Sequence, residues 1–162
     1  METPTRRIIT SLREFQDEVR GAIAQAAAVG AAEILLSDKD FADWPLGERA
    51  VIEDLTRWAH SRRRLTLVAH DFGVIARRHA RWGEWRRQWS HLVDCRTDHE
   101  LDRAQVPTIC LVPGVVCIRV VDPVEERGLV SYEPVDAVAC REAIDAVLQR
   151  STEAFPATTL GL

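Results

Sequence analysis

Three short apolar runs each end in polar or charged side chains. The first, Glu33–Leu36, leads into Ser37–Asp40; the second ends at His70 and Asp71; the third ends near Arg96. Open α/β sheets bind ligands at the carboxyl ends of their parallel strands. If the three runs are neighbouring strands, one edge of the sheet would carry Asp38, Lys39, His70, Asp71 and Arg96.

Such an edge supports two kinds of binding chemistry. The carboxylates of Asp38 and Asp71 would attract a cation, whereas Lys39 and Arg96 would attract an anion. A small-molecule enzyme using these groups would show a concave pocket and a shifted titration of a carboxylate or histidine. The alternative is structural, because Asp and Ser commonly make turns and cap the next helix. Asp71, which stands just before a helical segment, is expected to be such a cap.

A second candidate is the segment from Ile75 to Trp89, which combines tryptophans with arginines. Ile75, Trp82, Trp85 and Trp89 fall on one face of an ideal helix. Basic side chains beside aromatic rings occur in proteins that contact phosphates and stack on bases. A basic amphipathic helix also binds anionic membrane surfaces. The nucleic-acid hypothesis uses Arg77, Arg78, Arg81, Arg87, Trp82 and Trp85.

The alternative for this segment is packing. Each tryptophan buries on the order of 150–250 Å², so exposing several of them is costly. The tryptophans would then be core or dimer contacts, and the arginines would form the solvated face of the helix.

The charge distribution keeps the nucleic-acid hypothesis open. The whole chain of 162 residues carries a net charge of −4, which is not typical of a nucleic-acid-binding protein. Ten arginines against three acids, however, lie between Arg57 and Arg96, so this stretch alone is strongly basic. Arginine outnumbers lysine 20 to one, which is typical of a GC-rich genome, and Lys39 is the exception.

Established catalytic and cofactor motifs are absent from the sequence. It contains no Gly-x-Ser-x-Gly elbow, no phosphate-binding loop and no Gly-x-Gly-x-x-Gly. His91, Cys95 and His99 are spaced by four, but the intervening residues indicate a strand and a turn rather than a helix. A structural zinc site normally has four ligands. We predict no metal, no cofactor and no catalytic residue.

The cysteines and the composition indicate a cytosolic globular protein. Cys95, Cys110, Cys117 and Cys140 form no C-x-x-C pair, so buried free thiols are expected. No apolar run approaches the roughly 18–20 residues of a membrane span, and Arg6-Arg7 precede no signal-peptide core. We expect one domain over 1–162, with loosely ordered ends at about 1–5 and 151–162.

Periodicity and turn signals predict the elements that position these residues. Ser11 followed by Glu14 predicts a capping box at the start of an amphipathic helix, and Gly30 predicts the end of that helix. The other predicted helices cover 47–60, 72–88 with an interruption near Gly83, a short piece at 98–105, and a last helix from Pro134. The predicted strands are 33–36, 65–68, 92–95, 108–112, 115–121 and 129–132.

This order, α-β-α-β-α-β-(α)-β-β-β-α, predicts the fold class. Alternating helices and strands imply parallel strands with right-handed crossovers, whereas the tight turns after residue 107 imply antiparallel ones. We therefore predict an α/β fold with one mixed sheet and helices on both faces.

The order resembles one half of a phospholipase-D-like domain. The stretches that carry the resemblance are the opening helix, Glu33–Asp38, the helix ending at Trp58-Ala59, Arg64–Asp71, the meander Thr108–Tyr132 and the C-terminal helix. The active enzymes of that family use a His-x-Lys-x4-Asp motif, with one histidine as nucleophile and a second as general acid. Here the corresponding strand begins Thr108-Ile109-Cys110, with Val115 at the aspartate position.

The resemblance therefore implies a binding or interaction domain of unknown ligand that does not hydrolyse phosphodiesters. Because a single half of this family usually pairs with a second one, it also implies a homodimer. The pairing surface would be either the helix carrying Trp82, Trp85 and Trp89 or the meander.

Overall fold

The structure is a computed structural model, and it describes residues 5–98 and 100–155. Within these residues, eight strands form one mixed sheet, with the order β1-β7-β6-β5-β2-β3-β4-β8. The strands are β1 (Arg6–Ile9), β2 (Glu33–Ser37), β3 (Arg64–Ala69), β4 (Val93–Thr97), β5 (Ile109–Val112), β6 (Val116–Asp122), β7 (Arg127–Ser131) and β8 (Thr152–Glu153). The helices are α1 (Leu12–Val29), α2 (Arg49–Trp58), α3 (Gly73–Arg78), α4 (Ala80–Gln88) and α5 (Pro134–Leu148), with a 3₁₀ turn at Arg103–Gln105.

The sheet is parallel at its centre and antiparallel around it. β2, β3 and β4 run parallel, whereas β5, β6, β7 and β1 form an antiparallel meander beside β2. Since β4 and β5 are separated by β3 and β2, the connection between them, described at residues 98 and 100–108, passes the carboxyl ends of β3 and β2. Arg103 of this connection contacts the loops that follow β2 and β3, and part of this edge stays open to solvent.

Helices lie on both faces of the sheet, as the sequence predicted. The larger core packs α1, α2, α3 and α4 against one face, and its largest fully buried side chains include Trp58 and Trp82. Trp58 also donates its indole N–H to the carbonyl of Ala31 at 2.8 Å, which fixes α2 against the turn after α1. A second, smaller core packs α5 against the other face through Cys140, Ile144 and Val147.

Local signals explain where α1 begins and ends. Ser11 accepts a hydrogen bond from the backbone N–H of Glu14 at 3.1 Å, which satisfies one of the free donors of the first turn. Gly30 ends the helix with φ of 69°, a left-handed conformation that glycine adopts without a Cβ penalty. The cap at Ser11 and the stop at Gly30 match the sequence prediction, but the capping box is only half formed, because the carboxylate of Glu14 accepts from the hydroxyl of Thr10 at 3.0 Å.

Some elements differ from the prediction. The long helix 72–88 breaks at His79 rather than near Gly83, and the ring of His79 donates to the carbonyl of Phe41 at 2.8 Å, which holds the break in place. The short helix expected at 98–105 is reduced to the 3₁₀ turn. β1 was not predicted, because its only buried side chain is that of Ile9.

The described part of the C-terminal segment makes contacts with the domain. β8 pairs with β4, and the ring of Phe155 lies 5.9 Å from that of Trp82, while the loose order expected from residue 151 stays a prediction. The expected loose segments at 1–4 and 156–162 lie outside the described residues.

The four cysteines are buried. Cys95 and Cys110 are free thiols, and burial raises the pKa of each to about 12. Cys117 of β6 and Cys140 of α5 lie side by side in the smaller core with their sulfur atoms in contact, and free thiols at these two positions stay a prediction. Their spacing of 23 residues gave no signal, because the contact depends on where α5 crosses the sheet.

Candidate functional site

Asp38 stands at the carboxyl end of the central strand β2 and organises the loop that follows. Its side chain is 6% exposed. Its Oδ2 accepts hydrogen bonds from the backbone N–H groups of Phe41 at 2.8 Å and Asp40 at 3.3 Å. Its Oδ1 accepts from the hydroxyl of Thr108 at 2.6 Å. Burial raises the pKa of Asp38, and it outweighs the opposing effect of these hydrogen bonds.

The loop after β2 is held against the end of β3 by its backbone. The carbonyl of Lys39 accepts from the backbone N–H groups of His70 at 3.0 Å and Asp71 at 3.3 Å. The side chain of Lys39 is exposed and faces a cleft. Asp38, Lys39, His70 and Asp71 therefore lie together at one edge, as the sequence predicted from strand ends alone.

The cleft at this edge has a volume of about 120 Å³. Its polar walls carry three carboxylates and one ammonium group, from Asp38, Asp43, Glu126 and Lys39. The remaining lining residues are Ser11, Leu12, Phe15, Trp44, Thr108, Val120 and Pro123. The site is thus small, open to solvent and more acidic than basic. His70 and Asp71 are not among its lining residues.

Arg103 connects the loop that follows β2 with the loop that follows β3. Its guanidinium forms an ion pair with Asp40 and a second one with Asp71, the latter at 2.9 Å. The side chain of Asp40 is 6% exposed, so its carboxylate depends on this partner. Sequence reasoning missed Arg103, because its position depends on residues 100–108 passing the ends of β3 and β2, and the strand order was not known.

Asp71 makes the expected turn, but it is not the expected helix cap, because Phe72 is the N-cap residue of α3 and no side chain caps that helix. Its Oδ1 accepts from the backbone N–H of Gly73 at 3.2 Å, at the first turn of α3. His70 precedes Asp71, and its Nδ1 lies 3.9 Å from the carboxylate of Asp71. The backbone carbonyl of His70 accepts a hydrogen bond from the hydroxyl of Thr97 at 2.8 Å. These contacts fit the turn hypothesis, whereas the predicted cap at Asp71 is wrong.

Arg96 is not part of this edge, which corrects the prediction. Its guanidinium donates to the hydroxyl and the carbonyl of Ser151, both at 3.0 Å. Successive side chains of a strand point to opposite faces, and Cys95 lies in the core on the face of α1–α4. Arg96 therefore points to the other face, away from Asp38 and Lys39.

The basic segment divides into buried rings and exposed charges. Trp82 and Trp85 are 0% and 3% exposed, so neither presents a ring face for stacking on a base, and this part of the nucleic-acid hypothesis is wrong for the described conformation. Arg77, Arg78, Arg81 and Arg87 are exposed. Arg78 and Arg81 donate to the carbonyls of Ala42 and Gly47 at 3.2 and 3.1 Å, and Arg87 lies 3.8 Å from Glu84.

The described residues show neither a metal site nor a membrane-spanning helix. Among them, no group of three or more His, Cys, Asp or Glu side chains is arranged to hold a metal ion. His99, which the spacing argument considered with His91 and Cys95, lies outside them. No helix within 5–98 and 100–155 has the length and apolar character needed to cross a bilayer.

Comparison with known proteins shows the fold. No family model and no curated protein matches the sequence. Among solved structures, the archaeal chromatin protein TrmBL2, described with a novel mode of DNA binding, matches with a TM-score of 0.66 at 10% identity. That match covers 94% of this chain, which spans 56% of the TrmBL2 chain.

A second match is Nuc from Salmonella typhimurium, a phospholipase D family member. It aligns with a TM-score of 0.57 at 14% identity, covering 94% of this chain and 99% of Nuc. The chain therefore has a phospholipase-D-like α/β fold, as its element order had indicated.

Proposed function

We propose that the chain is a non-catalytic phospholipase-D-like domain that works by binding. The observation that carries this proposal is the hydrogen bonding of Thr108, which stands where the resemblance expects the nucleophilic histidine. Its hydroxyl is donated to the buried carboxylate of Asp38 at 2.6 Å. Cys110, at the lysine position, is buried with a pKa of about 12, and Val115, at the aspartate position, lies in the turn between β5 and β6.

The ligand of this domain is a small group that carries a positive charge. A volume of about 120 Å³ is well below the roughly 300–1,000 Å³ of pockets for drug-sized ligands. The cleft therefore accepts a single headgroup or side chain. Its carboxylates from Asp38, Asp43 and Glu126 outnumber the one ammonium of Lys39, which favours a cationic or zwitterionic group.

This binding is tested by NMR with two probes of similar size, ethanolamine and ethylene glycol. We expect saturable shifts of the amide signals around Lys39, Asp43 and Glu126 with ethanolamine, and much weaker ones with the neutral glycol. Glu126→Gln should weaken ethanolamine binding, whereas Glu125→Gln, an exposed neighbour that does not line the cleft, should not. Equal shifts with both probes, or none with either, would contradict the proposal.

The proposed assembly is a homodimer, which the resemblance implies. Because Trp82 and Trp85 are buried, the pairing surface is not the face of α4. Tyr132, Val135 and Val138 are 52–64% exposed where β7 leads into α5, and they form an apolar surface of the kind that dimers bury. Sedimentation should show a dimer of the 18.3 kDa chain, and Val138→Glu should dissociate it. A monomer at micromolar concentration would overturn this assignment.

A nucleic-acid-binding role is the second candidate function. Two observations favour it: the fold is shared with a DNA-binding chromatin protein, and Arg77, Arg78 and Arg81 are exposed with no carboxylate partner among the described residues. With the indoles buried, binding would rest on phosphate contacts and fall steeply with salt. Changing these three arginines to Gln should then reduce the salt slope by about 2 for single strands. Arg57→Gln is the control, because Arg57 is already paired with Asp54.

An enzymatic role is the third. Its supporting observation is that Asp38 combines a raised pKa with a hydrogen bond to a hydroxyl in the same cleft, the arrangement of a base and a nucleophile. The remaining contacts of Asp38, however, are to backbone N–H groups of its own loop, which suit a structural role. A hydrolysis assay with Thr108→Ala separates the two.

A further inference from the structure

Arg86 is a buried cation that the binding cleft does not use. It lies in α4, near the opposite end of the helix from His79, and is only 4% exposed. Arginine is almost never fully buried unless it is paired, because removing a charge from water costs several kcal/mol even after relaxation. A buried guanidinium therefore needs a counter-ion or a full set of hydrogen-bond acceptors.

The described protein provides neither. Nε and Nη1 of Arg86 are buried without a hydrogen-bond acceptor, and within residues 5–98 and 100–155 no carboxylate forms an ion pair with this side chain. The indole N–H groups of Trp82 and Trp85 are also buried without acceptors. These residues precede Arg86 by four positions and by one, so all three side chains leave the buried side of α4. The helix α4 therefore carries four buried nitrogen atoms that bear N–H groups and have no hydrogen-bond acceptor.

The thiol of Cys95 is an ionisable group in contact with Arg86, and it does not fill this role. Arg86 contacts Cys95 and favours its thiolate, but burial outweighs that effect and raises the pKa of Cys95 to about 12. The thiol is therefore protonated at neutral pH and leaves the charge of Arg86 uncompensated. Asp94 precedes Cys95 in β4, where the alternation of a strand directs it to the opposite face of the sheet.

We propose that a small free anion binds at Arg86, with the guanidinium as its charge partner and the indole N–H groups of Trp82 and Trp85 as further donors. Buried polar groups without partners in native proteins commonly mark an ion or a water, and the positive charge selects an anion. A phosphate within a nucleic acid has to approach from the surface and does not meet a side chain that is 4% exposed. A halide or a small oxyanion shares the required chemistry, since both accept hydrogen bonds and carry negative charge.

The test measures thermal unfolding of the full chain against chloride, bromide, phosphate and acetate. Ionic strength is held constant with the salt of a bulky buffer anion, so that general screening does not change. We expect a saturable rise in Tm with at least one of these anions, in wild type and in Arg87→Met alike. Arg87 is the matched control, because it neighbours Arg86 on the same helix but is exposed. A response to chloride and bromide alone identifies a halide, and a response to phosphate or acetate identifies an oxyanion.

Arg86→Met should weaken anion binding by about tenfold or more, as expected when a charge-assisted contact is lost. Without added anion, this variant should unfold at a Tm equal to or above that of wild type, since replacing an uncompensated buried charge by an apolar side chain is neutral or stabilising. If Arg86→Met does not fold, anomalous diffraction from wild-type crystals soaked in bromide, with phosphate as the competing ion, locates the site directly. A Tm that no anion raises saturably, the same response in Arg86→Met as in wild type, or soaked crystals with neither ion at Arg86 would overturn the proposal.

Discussion

Asp38 should be the residue on which the strand-end cleft depends most. Asp38→Ala leaves the backbone N–H groups of Phe41 and Asp40 and the hydroxyl of Thr108 without their acceptor. At about 1 kcal/mol for each hydrogen bond, the loss is about 3 kcal/mol. Relief from the desolvation that raises the pKa of Asp38 offsets part of it, so we expect a destabilisation of about 2–3 kcal/mol. For a domain of this size, that corresponds to a fall in Tm of about 4–12 °C.

The pH dependence provides a second, independent readout. Because the pKa of Asp38 is raised in the folded protein, the folded state retains this proton to a higher pH than the unfolded chain does. The stabilising contribution of the protonated group is complete below about pH 3.9 and is lost as the pH rises through the folded-state pKa. Asp38→Asn never ionises, so its stability relative to wild type should increase over that same rise in pH.

Urea unfolding at several pH values, followed by tryptophan fluorescence, measures both effects. Asp43→Ala is the control, because Asp43 lines the same cleft with an exposed side chain and should change stability by less than about 0.5 kcal/mol. If Asp38→Ala is no more destabilising than Asp43→Ala, or if the stability of Asp38→Asn relative to wild type does not change with pH, Asp38 does not stabilise the loop as described.

Three further predictions concern the surroundings of the site. Arg103→Met should destabilise the chain by about 1–3 kcal/mol, because the carboxylate of Asp40 loses its partner; a double-mutant cycle with Asp40→Asn in urea unfolding should show coupling, and additive effects would exclude the ion pair. Cys95 and Cys110, with pKa values of about 12, should resist iodoacetamide at pH 8 until the protein is unfolded; mass spectrometry that finds either one labelled in the native state would contradict their burial. Gly128→Ala places a Cβ 2.7 Å from the carbonyl oxygen of Arg119 and should lower stability by about 1–3 kcal/mol in thermal unfolding; an unchanged Tm would show that the β6–β7 pair yields easily.

The parts of the fold that follow from local sequence were predictable. The cap at Ser11 and the stop at Gly30 depend on neighbouring residues, and so does the start of α5 at Pro134. The grouping of Asp38 with Asp71 followed from a general property of parallel strands, whose carboxyl ends meet at one edge.

The remainder depends on long-range geometry. Arg103 joins the site only because β5 pairs with β2 rather than with β4, and no local pattern specifies that order. Arg96 was assigned to the edge from its position in the chain, but the alternation along β4 turns its side chain to the other face. The contact between Cys117 and Cys140 likewise depends on where α5 crosses the sheet.

The central claim is that this phospholipase-D-like domain binds without catalysis, and hydrolysis tests it most directly. Wild type and Thr108→Ala are incubated at matched folded concentration with bis(p-nitrophenyl) phosphate, p-nitrophenyl acetate and single-stranded DNA. We predict product formation at the rate of the buffer blank for both proteins. Turnover by wild type that Thr108→Ala loses would contradict the claim and would assign Thr108 and Asp38 to an active site.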